Sequence, residues 1–408
     1  MGPCHPQSTP LTTPTNLIYL SLHDEGLGKL PKGLASVKFR SERDALVDML
    51  ATASRAVGGR GGSSPVLLGL LLTCDGNSLS VTGTDLDLTI QVTGEVIGID
   101  NGSCVIPARL STDIVRRLEP GAVTFADQGD HLTISAARST FKLHTYPVVE
   151  FPPVGTTEEP TTQLSETALG EAVRQVVRAA SHDDGRPLLT GVLVSRVDGS
   201  IRMVATDSYR MAMRDLPSSE TIPGEEDLLV PARALSELQR LPTGTISEGS
   251  ETNRVGVAAN SNEITFWQGN VQISTRLLEG KYPDYKQLIP DHYPNRLHLG
   301  KESFLAALRR VQLLVRDNTT PVRLSMRQGG VDLSVQSQDV GDAAEAVDGD
   351  YTGEDLVIAF NPSYLIDGVE AVAGDEVIVE TADASRAATV RGAEDQQFRY
   401  LLMPVRVS

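Results

Sequence analysis

Residues 185–213 read GRPLLTGVLVSRVDGSIRMVATDSYRMAM. A proline loop leads into a strand-like run, Asp198-Gly199 marks a turn, and a second strand-like run follows. The same order occurs twice more, as SSPVLLGLLLTCDGNSLSVTGTDLDLTI at 63–90 and TTPVRLSMRQGGVDLSVQSQDV at 319–340. Each copy follows an amphipathic helix pattern. In SETALGEAVRQVVRAAS, residues Leu169, Ala172, Val173, Val176, Val177 and Ala180 recur at the helical period. SERDALVDMLATASRAV places Leu46, Met49, Leu50, Ala53 and Val57 alike, and KESFLAALRRVQLLV places Phe304, Ala307, Leu308 and Val311. A Ser at or near each predicted N-cap and an acidic first turn support the three starts.

The spacing turns this likeness into a repeat. Leu46 to Leu169 is 123 residues, Pro65 to Pro187 is 122 and Asp85 to Asp207 is 122. Leu169 to Phe304 is 135, Pro187 to Pro321 is 134 and Asp207 to Asp339 is 132. A second helix is expected in each unit, from VIPARLSTDIVRRL, LVPARALSELQRL and VIAFNPSYLIDGVEAV; Pro107 to Pro231 is 124. The fold class is therefore α+β, with three repeated domains of two helices and about eight strands each. Proline clusters in YPVVEFPPVGTTEEPTT and KYPDYKQLIPDHYPNR set the expected boundaries: 1–36 an extension of low order, then domains at 37–157, 158–290 and 291–408.

Composition narrows the function. The net charge of -17 argues against coating nucleic acid or an anionic membrane with the whole surface, while leaving room for a local basic face. The three cysteines, Cys4, Cys74 and Cys104, are odd in number and far apart, which fits a reducing compartment. MGPCHPQSTPLTTPTNLIYLSLHDEG lacks the pattern of a signal peptide, and no run approaches a membrane helix, so a cytoplasmic protein without a membrane partner is expected. No phosphate-binding loop, zinc-protease or serine-hydrolase motif is present, and GGRGGSS at 58–64 joins a helix to a strand. His182 with Asp183 and Asp184 reads as a solvated turn. No catalytic residue, metal or cofactor is expected.

The arginines are distributed unevenly. Arg174 and Arg178 lie four apart on the face away from Val173 and Val177, and His182 and Arg186 continue that spacing into the loop. Arg55, Arg109, Arg116, Arg117, Arg233, Arg240, Arg309 and Arg310 fall on or beside the other helices. For one helix a solvated face suffices. Arginines on five of six equivalent helices point instead to one shared surface turned toward a polyanion and read without base contacts.

Taken in order, VKFRSERDAL, GTDLDL, GRPLLTG, VATDSYRMAM, KYPDYKQLIP, FNPSYL and YLLMPVRV resemble the bacterial DNA polymerase III β subunits, the sliding clamps, over residues 37–408. The resemblance implies three DNA-clamp domains per chain and a head-to-tail homodimer closing into a six-domain ring, helices lining the hole. It implies a non-catalytic processivity factor that encircles double-stranded DNA without sequence preference. Replicative polymerase, clamp loader and repair partners would be tethered through short clamp-binding peptides. The peptide pocket it implies comprises Arg186, Leu189, Thr206, Ser208, Tyr209, Arg210, Met211, Pro283, Gln287, Leu288, Asn361, Tyr364, Leu401, Met403, Pro404, Val405 and Arg406. Phe141 and Leu143 against Leu313 and Leu314 are the implied dimer contacts, and Arg60 joins the DNA-facing arginines.

The chain departs from the family pattern at Ser208, Met211 and Gln287, in the final Ser408 and in residues 1–36. Two readings stand: drift within a lineage, or a second-copy clamp whose altered pocket tolerates a clamp-targeting antibiotic. Two other functions also stay open, a nucleic-acid-processing enzyme and a repeat scaffold that never meets DNA. In the terminal YLLMPVRVS, alternate residues are expected to complete a strand while Met403 to Arg406 wall a peptide groove.

Overall fold

The computed structural model describes residues 36–58, 64–154, 159–224, 226–242, 253–290, 292–316, 320–337 and 339–406. The N-terminal extension and the terminal Val407 and Ser408 lie outside them, apart from Ser36. Among the described residues six α-helices recur in pairs: α1 (Arg43–Ala53), α2 (Ala108–Arg117), α3 (Glu166–Val176), α4 (Ala232–Gln239), α5 (Lys301–Gln312) and α6 (Pro362–Ala371). Nine strands accompany the first pair and eight accompany each of the others, among the described residues.

The helices bury the apolar faces read from the sequence. Leu46, Met49, Leu50 and Ala53 of α1 are buried, as are Leu169, Ala172, Val173 and Val176 of α3 and Phe304, Ala307, Leu308 and Val311 of α5. The expected serine caps hold at one helix of three. Ser165 accepts a hydrogen bond from the Ala168 backbone, but Glu42 precedes α1 and Gly300 precedes α5. Ser41 is used by the strand Lys38–Glu42, whose ladder orders the chain up to the helix. Ser303 lies one turn inside α5 and donates to the Gly300 carbonyl at 2.8 Å.

All strand pairs among the described residues are antiparallel, and two sheets cross from one repeat to the next. Leu88–Glu95 of the first repeat pairs with Val271–Arg276 of the second inside an eight-stranded sheet. Arg210–Asp215 of the second pairs with Phe398–Leu402 of the third inside a twelve-stranded sheet. A five-stranded sheet ends on Ser139–His144, whose described pairing is to His131–Ala136 alone. Across that edge the core face is open. Phe141 occupies the position of Ile273 and Tyr400 in the corresponding last strands. Those two are fully buried, whereas Phe141 is 40% exposed.

Cys74 and Cys104 are buried free thiols. No helix among the described residues is long and apolar enough to cross a membrane, and no group of three His, Cys, Asp or Glu there could hold a metal ion.

Candidate functional site

The junction between the second and third repeats begins with the turn Thr206–Arg210. Asp207 Oδ1 accepts the backbone N–H groups of Tyr209 at 2.9 Å and Arg210 at 3.0 Å. Thr206 Oγ1 accepts from Ser208 N at 3.1 Å and donates to the Arg210 carbonyl at 2.7 Å. These bonds hold Ser208 at φ 81°, a conformation that costs a non-glycine residue energy and persists where the surroundings over-determine it. The consequence is a reversal of direction within two residues. Tyr209 is thrust out, 60% exposed, and Arg210 is turned in. Arg186 braces the turn, donating from Nη1 to the Asp207 carbonyl and to Ser208 Oγ, both at 3.3 Å.

Arg210 is a buried support. Its Nε donates to Asp207 at 2.9 Å, Nη1 reaches Asp367 and Tyr400, and the guanidinium stacks on the Tyr364 ring. Burial disfavours its charge, but Tyr400, Asp367 and Asp207 together outweigh that and hold its pKa above the ordinary arginine value. Asn361 caps α6, accepting from Tyr364 N at 3.2 Å, and so fixes the helix start that carries Tyr364.

Behind the turn lies an apolar floor. Met211 and Leu401 face each other across the paired strands and are buried, along with Leu193, Val204, Met213 and Leu229. Tyr282 and Tyr285 cover this floor, and Ala387 joins it. Around its rim Tyr209, Leu288, Met403 and Val405 leave large apolar surfaces in solvent. The terminal segment is tied at both sides: Met403 N donates to the Tyr209 carbonyl at 2.9 Å and Val405 N to the Ala359 carbonyl at 2.8 Å. Gln287 donates to Asp284, which also caps the short turn Tyr285–Leu288. Pro283 and Arg406 are exposed, Pro404 half-buried.

The expected pocket residues thus gather at one junction but divide into two layers. Leu189, Thr206, Arg210, Met211 and Leu401 are buried and shape the groove from beneath, while Tyr209, Leu288, Met403 and Val405 form its exposed rim. Leu193, Val204, Met213, Leu229, Ala387, Tyr282 and Tyr285 were not anticipated. The unbroken apolar runs VLV at 192–194 and MVA at 203–205 carried a trace of the first two, since an antiparallel strand buried on both faces loses the usual apolar-polar alternation.

The arginines are less uniform than a solvent-facing stripe. Arg174 donates to the Glu370 and Ala371 carbonyls at 3.5 and 3.3 Å, Arg178 to the Asp367 carbonyl at 3.1 Å and to Glu370 Oε2 at 3.4 Å. Gln175 and Lys301 complete this cover over the carbonyl end of α6, where positive charge is favoured. Burial, then the neighbouring Arg178 charge, pulls the Arg174 pKa below its ordinary value. These two side chains join the second repeat to the third, so bonds within the chain engage groups that the sequence reading turns toward a polyanion.

Arg55 and Arg240 lie 4.0 and 2.6 Å from Glu237, and Arg233 pairs with Asp85 across the first junction. Arg309 reaches Glu370 at 2.7 Å, Arg310 reaches Glu345 at 2.7 Å, Arg116 reaches Asp113 at 3.3 Å and Arg186 reaches Asp183 at 2.9 Å. Arg109 and Arg117 are exposed, with no ion pair among the described residues. Arg60 lies outside the described residues. Of the expected dimer contacts, Phe141 and Leu313 are exposed, while Leu143 is buried and Leu314 packs on the core.

Three like α+β units, joined edge to edge by shared sheets and carrying paired helices, define a DNA-clamp chain. Residues 37–155, 163–284 and 286–406 match the N-terminal, central and C-terminal domains of the DNA polymerase III beta subunit. The beta sliding clamp of Streptomyces coelicolor is 34% identical over 383 residues, covering 91% of this chain and all of the relative. The solved sliding clamp of Bacillus subtilis aligns with TM-score 0.83 at 28% identity, and that of Bartonella birtlesii, bound to griselimycin, with TM-score 0.84 at 28%. Each alignment covers 91% of this chain and 100% of the other. The chain belongs to the DNA polymerase III beta subunit family. It is a DNA sliding clamp, a non-catalytic processivity factor.

Proposed function

We propose that two copies of this chain join head to tail into a ring around duplex DNA, and that the groove at the second junction docks short peptides of the polymerase, the clamp loader and repair proteins. One observation carries the ring. The strand pairing that joins first repeat to second and second to third leaves, among the described residues, a third pair of open edges: the outer sides of Ser139–His144 and of the first half of Gly341–Thr352. Phe141 is open there where Ile273 and Tyr400 are closed. A second copy supplies the missing strand, with Leu313 and Leu314 beside Phe141 and Leu143. Used twice, such a heterologous contact closes on itself.

The repeats correspond to domains at 37–157, 158–290 and 291–408. The exposed rim of Tyr209, Leu288, Met403 and Val405 over an apolar floor suits a peptide anchored by Leu and Phe. The griselimycin carried by the B. birtlesii clamp supports a ligand-binding site on this fold. Arg109, Arg116 and Arg117, with the outer parts of Arg55, Arg233, Arg240, Arg309 and Arg310, meet the phosphates. The ring then works in the cytoplasm without entering a membrane.

The test is topological. Loaded protein should stay on nicked circular DNA through a high-salt wash and leave when the circle is cut. Equal retention on linear DNA would sink the reading.

A further inference from the structure

The two junctions inside the chain share one backbone design. At the second, Met211 faces Leu401, and Met403 N donates to the Tyr209 carbonyl at 2.9 Å. At the first, Thr89 faces Ser274, and Arg276 N donates to the Asp87 carbonyl at 3.0 Å. The turns correspond as well. Asp85 Oδ1 accepts from the backbones of Asp87 and Leu88 at 3.2 and 2.9 Å, Thr84 Oγ1 accepts from Leu86 N at 3.1 Å, and Leu86 stands at φ 83° where Ser208 stands at 81°. The same strained turn occurs at both places, each beside a proline-bearing linker.

The space beside the first turn is an open cleft of about 470 Å³, with Leu86 on its rim and Pro152, Pro153 and Val154 along one wall. Its floor differs in chemistry from that of the second junction. Where Met211 and Leu401 meet, Thr89 and Ser274 stand instead, flanked by Thr265 and Gln272. Thr265 and Ser274 hydroxyls lie 2.9 Å apart, Gln272 Nε2 donates to Ser274 Oγ at 3.3 Å, and Thr84 and Thr89 hydroxyls lie 2.8 Å apart. A hydroxyl offers one donor and two acceptor sites, so these bonds leave capacity unused at Thr89, Thr265 and Ser274. A Leu or Phe set on this floor would strip water from it and return no hydrogen bond, whereas an amide or hydroxyl would.

We propose that the first junction is a second docking cleft of the clamp. It takes an extended polypeptide segment whose anchoring side chains are Asn, Gln, Ser or Thr, and residues 89 and 274 against 211 and 401 decide which junction takes which segment. The inference rests on the reading of the second junction as a groove for apolar-anchored peptides. The two separate cleanly by experiment.

The first probe is a fluorescein-labelled nonapeptide of Ser and Gly bearing Leu and Phe anchors, titrated by anisotropy against the full-length protein. Wild type should bind one equivalent per chain, and Thr89→Met/Ser274→Leu should bind two, the second within tenfold of the first in affinity. No binding to wild type would count against the second-junction groove; one equivalent to both proteins would overturn this inference. The second measurement needs no variant. A benzophenone-bearing peptide with Asn and Gln in place of Leu and Phe, photolysed at millimolar concentration, should leave adducts on 84–89 or 271–276 by mass spectrometry. Their absence from both segments would likewise overturn it.

Discussion

The guanidinium carbon of Arg210 lies 4.3 Å from the centroid of the Tyr364 ring. One residue belongs to the second repeat and the other to α6 of the third, so a cation–π contact, backed by Asp207 and Asp367, holds the groove's two sides in one geometry.

Replacing Arg210 by Leu leaves Asp207 buried without its counter-charge. The expected loss is about 3–5 kcal/mol of folding stability, read as a lower urea midpoint. Arg210→Lys keeps the charge but loses the planar fork and stack; peptide affinity should fall there more than stability does. An unchanged midpoint for Arg210→Leu would show that the cluster carries no weight.

Phe141→Asp should turn the ring into single chains, because the substitution puts a charge where the partner strand must seal the core. Leu313→Asp should do the same from the other edge. Leu143→Ala acts differently, since that side chain is already buried within the chain; about 2–5 kcal/mol of stability should go with it. Sedimentation velocity separates the two classes of outcome.

At the rim, Met403→Ala and Tyr209→Ala remove exposed apolar surface, so stability should hold. Affinity for a Leu/Phe-anchored peptide should fall about tenfold or more for each, roughly 1.4 kcal/mol. Anisotropy titration checks it, and full affinity in both variants would place the peptide elsewhere.

Glu370 gives the second junction a pH dependence. Burial works against its charge, but hydrogen bonds from Arg309 and Arg178 prevail and keep its pKa below the ordinary 4.5. A depressed folded pKa means that the stabilisation is complete above the unfolded value and is lost as pH falls through the folded one. The thermal midpoint should therefore drop on acidification below about pH 4. Glu370→Gln should show a shallower drop over the same range.

Salt dependence distinguishes free arginines from tethered ones. Arg109→Ala and Arg117→Ala should each flatten the salt dependence of binding to a short duplex by about one unit of log–log slope. Arg178→Ala instead removes the bonds to the α6 carbonyl end and Glu370, so its main effect should be on thermal stability.

Helical periodicity and the recurrence of Pro65, Pro187 and Pro321 were enough to establish three α+β units, because burial of one helix face leaves a local pattern in the chain. The groove was legible through family motifs, yet its layers were not. Whether Met211 lines a surface or supports it depends on Leu401, 190 residues away along the chain and directly opposite in the sheet. The arginines show the same limit. Counting them on helices suggested one basic face, but the end of α6 lies against α3, and its unpaired carbonyls claim Arg174 and Arg178. Sequence by itself determined the repeat, its helices and the recurrence of Asp85 and Asp207 at equivalent positions. Only the tertiary structure decided which charges neutralise one another and which of two equivalent junctions has an apolar floor, because both depend on side chains brought together from separate repeats.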